Sequence, residues 1–310
     1  MKTFFNDRER IRTYPDPGTQ FQKDNDITID IVPSFSKSRL LCPRAIPLDN
    51  GAYRLYFMEH RYDCPTGVIG EIVSAFSQDG FAWEREAGVR IPCFAQYAEN
   101  RVMAPDIIRM PDGTFRMYFE GRTNGVPEII VSAFSKDGLL WNIDPGVRLK
   151  DESHQIGFGT PCCVQLPHNQ GWRMYFHALS KEKYEIWSAV SMNALDWKIE
   201  PGVRISQTRD EEKYAAYSPF VIPLLNGQWR MYYGGWASQP ALRGCILSAV
   251  SSDGIVWEKE SSVILEPDNL WDSVHCSEPC LLHLKDGRWR LFYEACDEND
   301  SWRILGAISK

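Results

Sequence analysis

The sequence lacks long apolar runs, and none approaches the roughly 18 residues that a helix needs to cross a bilayer. Its nine cysteines form no CxxC pair, which favours reduced thiols in a cytoplasmic protein over a disulfide framework or a zinc site. The chain turns polar after Phe5, so no secretory signal is expected. Acidic residues outnumber basic ones, 41 to 34, which argues against nucleic acid as a partner.

Aromatic residues are abundant, with 11 Trp, 13 Tyr and 15 Phe, and their spacing reveals an internal repeat. One tryptophan recurs at intervals of 58, 56 and 60 residues, each time shortly after a turn-like segment such as Ser77-Gln78-Asp79-Gly80: Trp83, Trp141, Trp197 and Trp257. Asp-Gly supplies the positive φ of a tight hairpin turn. In the third copy Asn193-Ala194 replaces Asp-Gly, which predicts a weaker turn.

Two further strings recur upstream of each turn. The first is a strand with the pattern aromatic-Arg-x-aromatic-aromatic, whose arginines are Arg54, Arg116, Arg173, Arg230 and Arg290. The second is a proline followed by an apolar run, at Pro43, Pro105, Pro161, Pro219 and Pro279. Because both strings occur five times with a period near 58 residues, the sequence contains five structural units. The arginines repeat in every unit, so we interpret them as structural.

Each unit is predicted to contain four short strands separated by Gly, Asp and Asn turns. The last unit, which begins at Pro279, has room for only three strands, and the strand-like segment Ile27–Val32 precedes the first unit. An N-terminal strand that completes the final blade is how a radial array closes. We therefore predict an all-β, five-bladed β-propeller with four antiparallel strands per blade, forming a single domain over residues 1–310.

The residues beside the five prolines are candidates for function because they differ from blade to blade. The first strand of a blade lies nearest the propeller axis, so these ten side chains are predicted to ring one mouth of the channel: Cys42, Arg44, Ala104, Asp106, Thr160, Cys162, Ser218, Phe220, Glu278 and Cys280. Asp106, Glu278 and Arg44 are the ionisable members. The alternative interpretation is that the charges of these three residues face solvent in the channel and have no catalytic or binding role.

The position after the second-strand aromatics also varies: Met58, Glu120, His177, Gly234 and Glu294. Glu120 shares a blade with Asp106, as Glu294 does with Glu278, and two neighbouring carboxylates near an axis push one pKa upward. General acid and base catalysis at a glycosidic bond needs such an arrangement. The alternative is that Glu120 and Glu294 are structural carboxylates paired with nearby arginines.

Other candidates come from single blades. Blade 1 adds Glu59, His60 and Arg61, and blade 4 adds Trp236, an aromatic surface suited to stacking on a sugar ring. His275 lies just before Glu278 and is interpreted as a ligand of substrate or metal, or as an ordinary hydrogen-bonded loop residue.

The blade pattern resembles the five-bladed propeller glycosidases of the arabinanase, xylosidase, levansucrase and invertase group, particularly glycoside hydrolase family 43. The resemblance covers the whole chain and is sharpest at Ala104-Pro105-Asp106-Ile107 followed by Phe115–Phe119. It implies that Asp106 orients the substrate and tunes the pKa of the catalytic acid. The tryptophan turns also look like the Asp-box hairpins of sialidases, which are structural.

Two positions depart from the family pattern. The family's base is an aspartate directly before the blade 1 proline, where this chain has Cys42. Its acid is a glutamate before a later proline, and here only Glu278-Pro279 offers one, since blade 4 has Ser218-Pro219. Either Glu278 acts with another glutamate, namely Glu120, Glu294 or Glu59, or the protein does not hydrolyse glycosides by that route.

Three functions remain open at this point. The first is a glycosidase acting on a small glycan or glycoside with Asp106, Glu278 and Glu120 as catalytic residues, and with substrate contacts from Arg44, Glu59, Arg61, His177, Trp236 and Glu294. The second is a glycoside phosphorylase that binds phosphate through Arg44, His60, Arg61 and Arg122. The third is a propeller repurposed for sugar binding or for a biosynthetic reaction. We expect no cofactor or catalytic metal, and the fold leaves room for a structural calcium or other ion on the axis.

Overall fold

The structure is a computed structural model that describes residues 12–25, 31, 38–62, 69–181, 183–237 and 243–310. These residues form twenty β-strands, one 3-10 helix at Asp210–Glu212 and no α-helix. The all-β prediction is therefore confirmed. Within the described part of the chain, no helix has the length and apolar character needed to span a membrane.

Four consecutive strands pair in antiparallel order in each of the first four units. The strands are β2 (Ser38–Pro47), β3 (Tyr53–Arg61), β4 (Ile69–Ser77) and β5 (Glu84–Arg85); β6 (Arg101–Arg109), β7 (Phe115–Arg122), β8 (Ile129–Ser135) and β9 (Asn142–Ile143); β10 (Gly157–Gln165), β11 (Trp172–Leu179), β12 (Tyr184–Ser191) and β13 (Lys198–Ile199); and β14 (Ala215–Pro223), β15 (Trp229–Trp236), β16 (Gly244–Ser251) and β17 (Glu258–Lys259). In each unit the fourth strand has only two residues.

The fifth unit joins both ends of the described chain. It consists of β18 (His275–His283), β19 (Trp289–Cys296), β20 (Trp302–Ser309) and β1 (Phe21–Lys23), with Phe21 opposite Ser309 in the antiparallel pair. An N-terminal strand thus closes the last unit, but it precedes the predicted segment Ile27–Val32. Residues 27–30 and 32 lie outside the described residues, and Ile31 belongs to no strand and is buried in the core.

The first strands of the five units form a closed ring. Strand β2 contacts β6, which contacts β10, followed by β14 and β18, and β18 returns to contact β2. Large apolar and aromatic side chains fill the space between neighbouring units, and the second-strand aromatics Phe57, Tyr118, Phe176, Tyr232 and Phe292 are fully buried. Packing between adjacent units around an axis is the architecture of a β-propeller.

The repeated arginines stabilise the blades. Each second-strand arginine pairs with an acidic residue near the outer edge of its own unit: Arg54 with Glu86, Arg116 with Asp144, Arg173 with Glu200, Arg230 with Glu260 and Arg290 with Asp24. The Nη1 atom of Arg290 donates to Asp24 Oδ1 at 2.6 Å. Asp24 follows β1 directly, so this ion pair links the closing strand to the second strand of its unit.

A bulge interrupts the first strand of every unit at its proline. The strand register shifts there in all five units. The residue before each proline has a left-handed backbone, with φ between 44° and 56°: Cys42, Ala104, Thr160, Ser218 and Glu278. Such a conformation is costly for a residue other than glycine. It recurs where the strands approach the axis, and strained backbone of this kind is common near functional sites.

Candidate active site

The bulge separates the residues that flank each proline into two levels of the channel. Residues after the proline line a cavity of about 520 Å³ together with the carboxyl-terminal halves of the first strands, and they include Arg44, Asp106, Cys162 and Phe220. Of the five residues directly before the repeated prolines, all of which the structure describes, none lines this cavity. The sequence predicted that the ten flanking side chains form a single ring. They do not, because the left-handed residue redirects the strand between the two members of each pair.

Arg44 joins four blades at the level after the proline. Its Nε atom lies 3.2 Å from Asp106 Oδ1 in blade 2, and its Nη2 atom donates to Pro161 O in blade 3 at 3.3 Å. The guanidinium also lies 4.7 Å from the centre of the Phe220 ring in blade 4. A buried arginine therefore provides positive charge where the blades converge.

Asp106 is bound in the same cluster. Its Oδ2 atom accepts a hydrogen bond from Cys163 N at 2.6 Å, and the side chain is buried. Burial raises the pKa of Asp106, and Arg44 partly opposes that rise. In the strand pairing, Asp106 lies opposite Tyr118 and not opposite Glu120, so the two carboxylates that the sequence placed together have separate partners.

Glu278 and Glu294 do form a close pair. A carboxylate oxygen of each and the Cys42 sulfur all lie within 4.8 Å of one another, and all three residues are buried. The register explains this proximity, because Ser277 lies directly opposite Glu294 in strands β18 and β19. Cys42 N, from the neighbouring blade, donates to Glu294 Oε2 at 3.1 Å. Two glutamates and one thiol thus meet where blade 5 adjoins blade 1.

Burial gives this pair its electrostatic character. It raises the pKa of Glu278 to about 7. Burial and the neighbouring Glu278 also raise the pKa of Glu294. Two carboxyl groups this close cannot both ionise easily, so the pair retains one proton near neutral pH. Cys42 favours the charged form of both groups, through its thiol at Glu278 and through its backbone N–H at Glu294, so the two carboxyl groups share the proton as a coupled pair.

Glu120 occupies the position in blade 2 that Glu294 occupies in blade 5, but it is paired with an arginine. It forms an ion pair with Arg122, and its Oε2 atom accepts a hydrogen bond from Thr160 N at 3.2 Å. Thr160 precedes the proline of blade 3, just as Cys42 precedes that of blade 1. Glu120 and Glu294 are therefore related by the repeat, and each accepts the strained N–H of the next blade. Glu120 also raises the pKa of Glu278 electrostatically.

The remaining predicted residues lie in different surroundings. His177 is buried against Thr160 Oγ1 at 2.8 Å, and burial lowers its pKa to about 3, so it is neutral. Glu59 pairs with Arg85, and Arg61 Nη2 donates to Glu71 Oε2 at 3.0 Å. Side chains alternate along a strand, so Glu59 and Arg61 lie on the face opposite to His60.

Trp236 belongs to an aromatic group at the end of blades 4 and 5. Its ring stacks on Tyr214 with 5.6 Å between ring centres and an angle of 6°, and its Nε1 atom donates to Tyr217 Oη at 2.6 Å. His275 lies edge-on to Trp236 and tilted against Trp302, with ring centres 5.4 and 5.3 Å apart. Sequence reasoning missed Tyr214, Tyr217 and Trp302, because they lie outside the two sets of blade-variable positions that it compared.

One group of described residues has the composition of a metal site. Cys42, Glu278 and Glu294 are the only described residues that bring three potential ligand atoms together, one sulfur and two carboxylate oxygens. Calcium prefers six to eight oxygen ligands, so these residues do not fit the structural calcium for which the fold left room. We interpret the cluster as a group that shares a proton.

Comparison with solved structures shows that the fold is shared with carbohydrate-active enzymes. A glycosyl hydrolase from Bacteroides ovatus is similar with a TM-score of 0.74 and 16% identity, over 96% of each chain. A thermostable family-43 glycoside hydrolase has a TM-score of 0.70 and 16% identity, over 90% of this chain and 91% of that one. A structure from a study of the GH130 family, which contains mannoside phosphorylases and glycoside hydrolases, has a TM-score of 0.70 and 15% identity, over 96% of each chain.

No family model matches the chain, and no curated protein matches its sequence. At these identities, the similarity establishes a propeller fold of the glycosidase type. Function depends on the side chains of the site.

Proposed function

We propose that the protein cleaves a glycosidic bond of a small glycan or glycoside, with Glu278 as the general acid. One observation carries this proposal: Glu278 and Glu294 form a buried pair with raised pKa values. A carboxylic acid that keeps its proton near neutral pH can donate it to a leaving oxygen. The fold shared with glycoside hydrolases supports the same reaction class.

The spacing of the two carboxyl groups suggests which catalytic role each of them has. One oxygen of each carboxyl group lies within 4.8 Å of the other, which favours the close spacing of retaining glycosidases, roughly 5–5.5 Å, over the roughly 6.5–9.5 Å that leaves room for an attacking water. Glu278 would protonate the leaving oxygen as the glycosidic bond breaks, and Glu294 would bond to the anomeric carbon. Water would then release the sugar from Glu294 and return a proton to Glu278.

Cys42 and Asp106 act on this pair as positioning residues. Burial raises the pKa of the Cys42 thiol well above its usual value, so it is a neutral neighbour and cannot replace the aspartate base that the family pattern has there. Asp106 influences Glu278 through Arg44, whose positive charge lowers the pKa of Glu278. This is an indirect form of the tuning role that the resemblance implies.

The described cysteines support the expected compartment. Eight are described, and all eight are free thiols, as in the reducing cytoplasm. We therefore propose that the enzyme is cytoplasmic. We also propose that it forms a single domain, because the first strands of its five units form a closed ring.

The stereochemistry of the product tests the reaction. Wild-type protein is screened against nitrophenyl glycosides and oligosaccharides, and proton NMR follows the first sugar released from any compound that it cleaves. We expect retention of the anomeric configuration, because the two carboxyl groups are too close to admit a water between them. Inversion would show that Glu278 and Glu294 do not act as acid and nucleophile, and failure to cleave any member of a broad panel would count against the glycosidase assignment.

The pH dependence of kcat/KM tests the acid. Since Glu278 has a pKa of about 7 in the free protein, its proton is lost as the pH rises through that value. The rate is therefore expected to fall about tenfold per pH unit above pH 7. Initial rates between pH 5 and pH 9 measure this. A rate that stays constant up to pH 9 would mean that another group supplies the proton.

A further inference from the structure

A row of four basic residues crosses blades 1 and 2 near the carboxyl pair. In the strand pairing, Arg39 lies opposite His60, His60 opposite Gly70, Gly70 beside Arg101, and Arg101 opposite Arg122. Residues paired in this way present their side chains on one face of a sheet. We call Arg39, His60, Arg101 and Arg122 the basic row.

Gly70 makes the basic row compact. A Cβ atom at this position would lie 2.7 Å from Met58 Sδ and 3.0 Å from Arg101 Cγ, closer than real Cβ atoms approach their neighbours. The absence of a side chain therefore lets Arg101 pack toward His60 across the junction between the two blades.

The charges of the basic row are unequally compensated. Arg39 pairs with Asp300, and Arg122 pairs with both Glu120 and Glu128. In the part of the chain that the structure describes, no acidic side chain forms an ion pair with Arg101. Burial and the adjacent Arg122 lower the pKa of Arg101, and Glu120 and Glu128 oppose this only from a distance, without an ion pair. A half-buried cation beside a second cation is costly unless an anion joins it.

His60 adds an unused hydrogen-bonding atom. It is 5% exposed, its Nδ1 atom lies 2.9 Å from Tyr62 Oη, and its buried Nε2 atom has no partner among the described residues. If the Tyr62 hydroxyl donates to Nδ1, Nε2 carries the hydrogen and is a donor. Burial, followed by Arg101, Arg39 and Arg122, lowers the pKa of His60 to about 4, so the ring is neutral and adds no repulsion.

A second row at the junction of blades 4 and 5 has the same construction but aromatic side chains. Trp236 lies opposite Gly244, Gly244 beside His275, His275 opposite Cys296, and Cys296 opposite Trp302. A glycine again occupies the junction. The Arg39 guanidinium connects the two rows, because it lies 5.6 Å from the centre of the Trp302 ring. Aromatic faces of this kind stack on sugar rings, and arginines bind oxyanions.

We propose that the substrate is an acidic carbohydrate whose oxyanion, a carboxylate or a phosphate, binds Arg101 and the Nε2 atom of His60 while its sugar rings pack against the aromatic row. This inference rests on the proposed function, since it names the substrate class of the same site. Only Arg101 in the basic row has a charge that the described protein leaves unpaired, so the site accommodates a single oxyanion.

Calorimetric titration tests the oxyanion without requiring turnover. The probes are glucuronate and galacturonate, the matching neutral sugars glucose and galactose, and inorganic phosphate. We expect wild-type protein to bind at least one anionic probe, and a uronate response without a phosphate response would identify a carboxylate substrate. Arg101→Gln is expected to weaken that binding by about tenfold or more, because a charge-assisted bond is lost. Arg101→Lys should retain part of the affinity.

Arg288→Gln is the matched control, since Arg288 is exposed and pairs with Asp286, and its affinity should equal that of wild type. The inference is overturned if no anionic probe binds wild-type protein, or if Arg101→Gln binds as tightly as Arg288→Gln. Cleavage of neutral glycosides without anion binding would refute this inference and leave the proposed function intact. Anion binding without cleavage of any glycoside would refute the proposed function and leave only the oxyanion site at Arg101.

Discussion

Replacing Glu278 by glutamine is expected to lower kcat by about 10²–10⁴-fold on any glycoside that the wild-type protein cleaves. Glutamine keeps the shape of the side chain but has no proton to give to the leaving oxygen. The loss should be greatest for alkyl glycosides, whose leaving groups need protonation, and smaller for nitrophenyl glycosides, whose leaving groups do not. Steady-state kinetics on both kinds of substrate measure the difference.

Glu258→Gln provides the control, because Glu258 is exposed on strand β17 and the chemical change is the same. Its kcat should match that of wild type. Thermal unfolding shows whether Glu278→Gln is folded. The folded protein holds a proton on Glu278 that the unfolded chain loses above its ordinary pKa of 4.5. Stability attributable to this group therefore falls as the pH rises from 4.5 to 7.

Glu278→Gln removes this contribution to the pH dependence of stability, so at pH 7 the variant should be at least as stable as wild type. Full activity in Glu278→Gln would contradict the assignment of the acid, whatever its stability.

Replacing Arg44 by methionine is expected to lower the free energy of unfolding by about 3–5 kcal/mol. Arg44 is buried, and it binds Asp106 and the backbone of blade 3. Without the guanidinium, the Asp106 carboxylate remains buried, and Cys163 is its one remaining hydrogen-bond partner among the described residues. Urea denaturation at pH 7 measures the change.

The double variant Arg44→Met/Asp106→Asn separates the charge from the packing. Since asparagine leaves no unpaired charge, the double variant should be more stable than Arg44→Met alone. Arg109→Met is the control, because the pair between Arg109 and Asp49 is exposed, and its loss should cost at most about 1 kcal/mol. Equal stability of Arg44→Met and Arg109→Met would mean that Arg44 does not hold the blades together.

Much of the fold could be predicted because each packing contact recurs with the period of the blades. The arginine of every second strand meets an acid at the edge of its own unit, so a repeated residue marked a repeated structure. The weaker turn predicted at Asn193-Ala194 also forms, with the N–H groups of Leu195 and Asp196 donating to Asn193 Oδ1. Local chemistry of this kind is readable from one chain.

The carboxyl pair was partly readable for the same reason. Glu278 and Glu294 were expected to be neighbours because they occupy matching positions on adjacent strands of one blade, and they lie together. The same reasoning failed for Asp106 and Glu120. Asp106 is bound by Arg44 of blade 1, whereas Glu120 is bound by Arg122 of its own blade. The pair between Glu120 and Arg122 matches the alternative that the sequence offered, because residues two apart on a strand share a face. The pair between Asp106 and Arg44 crosses two blades, and such a contact has no signature in the spacing.

The spacing of the aromatics, the prolines and the turn residues by itself determined an all-β repeat of five units, because strand patterning and turn chemistry are local. Only the tertiary structure decided which segment closes the last unit, since this depends on pairing between β1 and β20, which are distant in the chain. It also divided the residues beside each proline into two levels, through a left-handed bulge that sequence does not reveal. The basic and aromatic rows form only where strands of different blades meet at Gly70 and Gly244, because curvature around the axis brings together side chains that are distant in the chain.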